Sequence, residues 1–232
     1  MLAHVRRDLR AEADPVKAAF FPRFFKTGKG DYAEGDRFLG VTVPKIRAVA
    51  KRYRDLPRKD VDALLKDPVH EYRLLALFIL VEQFKRADDR VRAEIVTFYL
   101  SRRRFVNNWD LVDSSAYAIL GEHLVKTGET ATLDRLARSD HLWTQRVAVV
   151  ATLAFIRGGD VKPILRLAPM FFSHPHDLLH KAVGWMLREA GKRDLASLQR
   201  FLDRHAKNMP RTMLRYAIEK FPMEERKQYL MR

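Results

Sequence analysis

The 232-residue chain contains no cysteine. That absence excludes disulfides, thiolate nucleophiles and Cys-ligated zinc, and it fits a reducing compartment. No apolar run approaches the roughly 18 residues a membrane span requires, and the opening stretch Met1-Leu-Ala-His-Val-Arg-Arg-Asp-Leu-Arg10 is too charged for the apolar core of a signal peptide. A cytoplasmic location without membrane association is the expectation. Acidic residues are scarce beside basic ones, 29 Asp plus Glu against 44 Lys plus Arg, leaving a net charge of +15. No block of like charge is long enough to form a tail, so the excess is spread over a folded surface. A field of that sign attracts polyanions, nucleic acid before anionic membrane. Also missing are a Gly-x-Ser-x-Gly elbow and a glycine-rich dinucleotide fingerprint. Gly28-Lys29-Gly30 lacks both the spacing and the following Ser or Thr of a phosphate loop. No cofactor is expected.

Strand-like alternation is scarce, and what is present instead is helical periodicity. Leu74, Leu77, Phe78 and Val81, followed by Phe84, trace one stripe, and Trp143, Val147, Val150 and Ala154 trace another. Breaks at Asp14-Pro15, Leu56-Pro57, Asp67-Pro68, Gly158-Gly159, Ala168-Pro169, His174-Pro175 and Met209-Pro210 read as punctuation between helices. An all-α chain forming one continuous domain over 1–232 is expected. Five segments align as copies of one helical unit, beginning at Arg73, Asp113, Arg146, Lys181 and Arg215, at successive spacings of 40, 33, 35 and 34 residues. Such a period marks stacked helical pairs. Tetratricopeptide and ankyrin signatures are not visible, which leaves an irregular HEAT-like solenoid. Its inner helices would form a concave basic face carrying Arg73, Arg146, Lys181 and Arg215.

One irregular stretch interrupts the pattern, from Thr27 to Thr42, with Gly28, Gly30, Gly35 and Gly40. It reads either as an ordered connection or as a flap against a ligand. Lys45 and Arg47 follow it at the start of the next helix, where they could meet phosphate.

Asp113 stands where the other four copies carry a cation. Asn107 or Asn108 can cap the helix, with Trp109 in the first turn and Asp113 four residues later on the same face. Asp110 is explained as an acid complementing the helix dipole. From the residues alone, Asp113 reads more simply as an ion-pair partner of Arg146 on the next repeat. Trp185 follows Lys181 by four residues, as Trp109 precedes Asp113 by four, so both indoles could flank the carboxylate. Two ring faces and an anion suit a cation, because the ring quadrupole attracts positive charge. His176 and His180, with His174 and Asp177 nearby, have the i, i+4 spacing of metal ligands, but no zincin Glu follows and no third ligand is evident. They read as surface or turn residues, and no metal is expected.

The runs Trp109-Asp-Leu-Val-Asp113, Ser139-Asp-His-Leu-Trp-Thr-Gln-Arg146 and Lys181-Ala-Val-Gly-Trp-Met-Leu-Arg-Glu189 resemble the motifs of the AlkD-like DNA alkylation repair glycosylases. Phe25 to Pro44 resembles the N-terminal signature of a branch of that family, and the resemblance extends from about Phe20 to Phe221. It implies a HEAT-like solenoid that holds duplex DNA and cleaves the N-glycosidic bond of 3-alkyladenine and 7-alkylguanine, as a monomer associated with the nucleoid through DNA. By matching motif, Asp113 is the catalytic carboxylate, Trp109 and Trp185 are aromatic walls and Arg146 is the cation beside them. Lys181, Arg188, Arg215, Arg73, Lys45 and Arg47 would contact DNA. A helical-repeat protein that binds DNA or RNA structure without catalysis is the alternative.

Overall fold

The computed structural model describes residues 1–231, and among them secondary structure is helical throughout apart from one isolated bridge between Arg37 and Val69. The chain divides into two compact units, Met1–Ser115 and a second beginning at Ala116. In the first, the helices are α1 (Leu2–Arg10), α2 (Pro15–Phe25), α3 (Val43–Arg52), α4 (Arg58–Leu65), α5 (His70–Arg86), α6 (Asp89–Ser101) and α7 (Trp109–Ala116). A π-helical turn (Tyr117–Gly121) opens the second, followed by α8 (Glu122–Thr127), α9 (Ala131–Ala137), α10 (Leu142–Arg157), α11 (Lys162–Leu167), α12 (Asp177–Arg193), α13 (Leu195–His205), α14 (Arg211–Ala217) and α15 (Met223–Met231). No helix among the described residues is long and apolar enough to cross a membrane.

Side-chain caps fix several of these starts. Asp14 accepts from the Val16 and Lys17 amides at α2, Asp88 from Val91 at α6 and Asp194 from Ser197 at α13, each satisfying donors that the first turn leaves open. Two histidines serve in the same way. Nδ1 of His141 accepts from the Thr144 amide, and Nδ1 of His176 accepts from the Leu178 amide at 3.2 Å. His174 Nδ1 in turn accepts from the His176 amide, so both histidines of that pair spend a ring nitrogen on the turn into α12.

The core of each unit forms around a helix buried on nearly all sides. In the first, α5 is buried continuously from His70 to Val81 and packs against α3 and α4. In the second, α10 is buried continuously from Arg146 to Ile156 and packs against α9, the π turn and α12, while α12 packs against α14. All-round burial explains why these helices lack a polar face. The repeat register appears in the helix starts: Asp113, Arg146, Lys181 and Arg215 are each the fifth residue of α7, α10, α12 and α14, and Arg73 is the fourth of α5.

Close approach between helices depends on two glycines of the second unit. A β-carbon on Gly121 would lie 2.4 Å from the Ala151 carbonyl oxygen, and one on Gly184 would lie 2.5 Å from that of Met213. Both obstacles are backbone, which side-chain rotation cannot relieve. Gly184→Ala is expected to lower unfolding free energy by about 1–3 kcal/mol through overpacking of α12 on α14. Urea denaturation measures this, and an unchanged midpoint would contradict the packing.

Candidate active site

The helix that carries Asp113 is anchored at its first turn. Asn108 precedes it, fully buried, and its Oδ1 accepts from the Trp109 amide at 2.8 Å. The Trp109 indole then stacks on Phe25, with centroids 5.5 Å apart and planes 21° apart, and meets the edge of Phe24 at 5.8 Å. Phe25 stacks in turn on Phe38 at 5.1 Å and 14°. Offset and edge contacts of this kind fix ring orientation beyond simple burial. One helical turn on, Asp113 is half-buried, and it belongs to the same face of α7 as Trp109.

Phe24 is 52% exposed, and Phe20, also exposed, lies alongside it with centroids 6.3 Å apart. Solvent-facing phenyl rings on α2 therefore continue the aromatic surface of Trp109. The reading of the sequence did not single them out. Their spacing of four residues on a helix was the available clue.

Behind α7 is a buried charge network. Asp110 Oδ2 lies 2.7 Å from His70 Nε2, and His70 Nδ1 lies 3.2 Å from Asp36 Oδ2, with the His70 side chain only 2% exposed. Arg73 Nη2 closes the chain by donating to Asp36 Oδ1 at 2.7 Å. Burial alone would lower the His70 pKa, but the Asp110 charge, with hydrogen bonds to Asp110 and Asp36, outweighs it and raises the pKa to about 9. Burial opposes the charge on Asp36, and His70 and Arg73 more than offset it, holding that carboxyl below its ordinary range. Asp110 does occupy the first turn, as expected of an acid facing the dipole, yet its main partner is an imidazole from another helix.

The glycine-rich stretch is an ordered connection through much of its length. Asp31 accepts from the Gly28 amide and Glu34 from the Gly30 amide, so the tip organises itself. Further on, the buried Glu71 carboxylate accepts from the amides of Leu39, Gly40 and Val41, at 2.7 Å for Gly40. Gly40 has φ +79°, and a β-carbon there would come within 2.1 Å of the Asp14 carbonyl oxygen.

On the far side of α7, the buried Tyr99 hydroxyl donates to Ser115 Oγ at 3.0 Å, and Ser115 Oγ donates to the Leu111 carbonyl. Burial pushes the Tyr99 phenol far up, and the nearby Asp113 charge adds to that shift. The phenol therefore stays neutral.

The expected DNA-contacting cations do not share one environment. Arg73 is 5% exposed and held by Asp36 and the Asp67 carbonyl, so its place on an exposed basic face is corrected to the interior. Arg146 is also 5% exposed, and its Nη1 donates to the Leu178 carbonyl. Arg188 is mostly buried and paired with Glu219 and Glu189. Lys45 is exposed and pairs with Glu12, Arg47 is exposed with its guanidinium 4.0 Å above the Phe78 ring, Lys181 pairs with Asp177, and Arg215 is exposed. Trp185 borders a cleft of about 430 Å³ with Leu153, Ile156, Arg157, Glu189 and Lys192 in the second unit.

A family model described as DNA alkylation repair enzyme matches residues 5–221. A solved structure described as a predicted DNA alkylation repair enzyme from Enterococcus faecalis superposes with a TM-score of 0.72 at 16% identity, covering 91% of this chain and 98% of the other. That likeness establishes a shared all-α helical-repeat fold. No curated protein shows significant sequence similarity to the chain.

The loop geometry carries its own test. Glu71→Gln removes the charge from the acceptor and offers an N–H₂ group where one carboxylate oxygen stood, so part of the amide cradle is lost. Stability is expected to fall by about 1.5–3 kcal/mol, the range for hydrogen bonds to charged groups. Thermal denaturation with amide exchange over residues 38–42 checks this, and unchanged protection there would contradict the assignment.

Proposed function

The chain belongs to the DNA alkylation repair enzyme family, and we propose that its reaction within alkylation repair is hydrolysis of the N-glycosidic bond of cationic alkylated purines, 3-alkyladenine and 7-alkylguanine, in duplex DNA. The observation that carries the proposal is the pairing of a half-buried carboxylate, Asp113, with a rigidly stacked indole, Trp109, one turn apart on α7.

The chemistry follows from charge. An N-alkylated purine already bears positive charge and leaves as a neutral base, so cleavage of the bond between C1′ and the ring nitrogen requires no strong general acid. As that bond lengthens, positive charge passes to the deoxyribose, where Asp113 stabilises it by Coulomb attraction and the face of Trp109 by its quadrupole. Water adds at C1′ and loses a proton, which Asp113 is suited to accept. The stacking of Trp109 on Phe25 supports this reading because a preorganised ring costs no reorganisation at the moment of reaction. In the second unit, Trp185 and Arg146 are proposed to assist excision, as the family motifs imply. The low exposure of Arg146 suits a guanidinium that orients other groups more than one that gathers phosphates.

Duplex affinity is proposed to come from surface cations, the exposed Lys45, Arg47 and Arg215 and the partly exposed Lys181 among them, through release of counterions. Contacts of this kind position the duplex and carry little sequence information. The net charge of +15 supports that reading.

Release of 7-methylguanine from methylated duplex provides the central assay. Asp113→Asn is expected to reduce it by about 100-fold or more, the scale of removing one preorganised electrostatic group, while plain duplex binds as tightly as before or more so. Full activity in that variant would refute the mechanism, and no release by the wild-type protein would leave a non-catalytic nucleic-acid binder. Trp109→Ala and Trp185→Ala should each slow excision. Affinity for undamaged duplex should fall linearly on a log–log plot against salt, whereas a flat response would point to a partner other than a polyanion.

A further inference from the structure

We propose that His70 is a positioning residue: as an imidazolium it clamps Asp36 of the glycine-rich connection to Asp110 of α7, and so holds Trp109 and Asp113 in their working orientation. The inference deepens the glycosylase reading and rests on it for its kinetic part. The clamp itself stands on geometry alone.

Both ring nitrogens of His70 face carboxylate oxygens, Nε2 toward Asp110 at 2.7 Å and Nδ1 toward Asp36 at 3.2 Å. A neutral imidazole has one N–H and one lone pair, so one of the two carboxylates would then face a lone pair in the interior. Among the described residues, Arg73 Nη2 lies 3.5 Å from Nδ1 as an alternative donor to it, and that group already donates to Asp36 at 2.7 Å. The carboxylate is both nearer to Nδ1 and better served by a proton there. Protonation thus satisfies both contacts at once, and two carboxylates are balanced by an imidazolium and a guanidinium.

The ring also links the two faces of the site mechanically. Phe25 and Phe38 lie against the imidazole at 4.9 and 5.1 Å, and Phe25 is the ring on which Trp109 stacks. His70 therefore reaches α7 by two routes, an ion pair to Asp110 and, through the intervening Phe25 ring, the Trp109 indole. The next residue, Glu71, cradles the amides of residues 39–41. Two consecutive side chains at the start of α5 fasten neighbouring points in the second half of the connection, His70 through Asp36 and Glu71 through the backbone of residues 39–41. His70 touches no position assigned to the substrate, which makes its effect indirect.

The sign of the pH effect follows. With the folded pKa raised from 6.5 to about 9, the stabilisation from the clamp is fully present below about pH 6.5 and is lost as pH rises through about 9. The charged groups facing the ring are Asp110 from α7, Asp36 from the connection and Arg73 from α5 itself. Asp36 is held low and already ionised there, and Tyr99 beneath α7 is shifted far upward, so neither supplies a transition in that window.

Four measurements on the intact chain test the proposal. Imidazole ¹⁵N resonances should show His70 doubly protonated at neutral pH and titrating near pH 9; a singly protonated ring would overturn it. Amide exchange in His70→Gln should rise over residues 27–38 and 109–116 together, and unchanged protection in α7 would overturn the clamp. If His70→Gln fails to fold, Asp110→Asn, which keeps the Asp36 contact, should loosen 109–116 while sparing 27–38, and loosening of neither would refute it. In single-turnover excision, His70→Gln should slow release by roughly tenfold or more, the effect of a small misplacement. It should leave affinity for undamaged duplex unchanged and remove the alkaline fall in rate expected of the wild type near pH 9. Retention of that alkaline limb in the variant would overturn the positioning role. Absence of excision by the wild type, with the resonance and exchange results as expected, would instead sink the glycosylase reading and leave the clamp in place.

Discussion

Two carboxylates and two cations buried together behind α7 determine how the first unit is assembled. Removing charges from water costs several kcal/mol per ion, and the cost is recovered only where each charge meets an opposite one in good geometry. Asp36, His70, Asp110 and Arg73 meet that condition as a chain, with Asp36 bridging His70 and Arg73 and His70 bridging the two carboxylates. The chain joins three pieces of sequence, the glycine-rich connection, the start of α5 and the start of α7. Replacing one member leaves a buried charge without its counterpart, so the network tolerates few alternatives. It therefore specifies where α7 begins and which way its first turn faces.

Local chemistry and long-range contact were legible to different degrees. The helical class, the spacing of the repeat and the placement of Trp109 and Asp113 on one face follow from apolar periodicity and from offsets of three or four residues. The network does not, because Asp36 and His70 are 34 residues apart and His70 and Asp110 are 40 apart. No periodicity records that an aspartate in one segment meets a histidine in another. Asp110 illustrates the gap. Its dipole role is a local statement and holds, whereas its imidazole partner is tertiary.

Register and exposure also separate. Arg146, Lys181 and Arg215 occupy the fifth place in α10, α12 and α14, and Arg73 the fourth in α5, yet Arg73 and Arg146 are buried and Arg215 is exposed. What decides is the acceptor each long side chain can reach. Arg73 reaches a buried carboxylate and a carbonyl, Arg146 reaches the Leu178 carbonyl, and Lys181 finds Asp177 one turn back on its own helix. A repeat alignment reports backbone position only. Long cations can snorkel or fold inward from the same backbone position, and the distribution of acceptors, which varies among repeats, sets the outcome.

The same reasoning distinguishes the two acids of α7. Asp110 and Asp113 are three residues apart, a spacing at which like charges on a helix repel. In a site built to stabilise a developing cation, two equivalent carboxylates would compete for it, and each would raise the cost of ionising the other. Pairing Asp110 with an imidazolium from α5 removes that competition, since its charge is balanced within the interior. Tyr99, on the opposite side, stays neutral because burial opposes the phenolate. In the proposed reaction the developing positive charge then falls to Asp113, half-buried beside the indole that shares its face. Divergent environments give the two carboxylates separate tasks, Asp110 holding the helix and Asp113, in the proposed reaction, meeting the sugar.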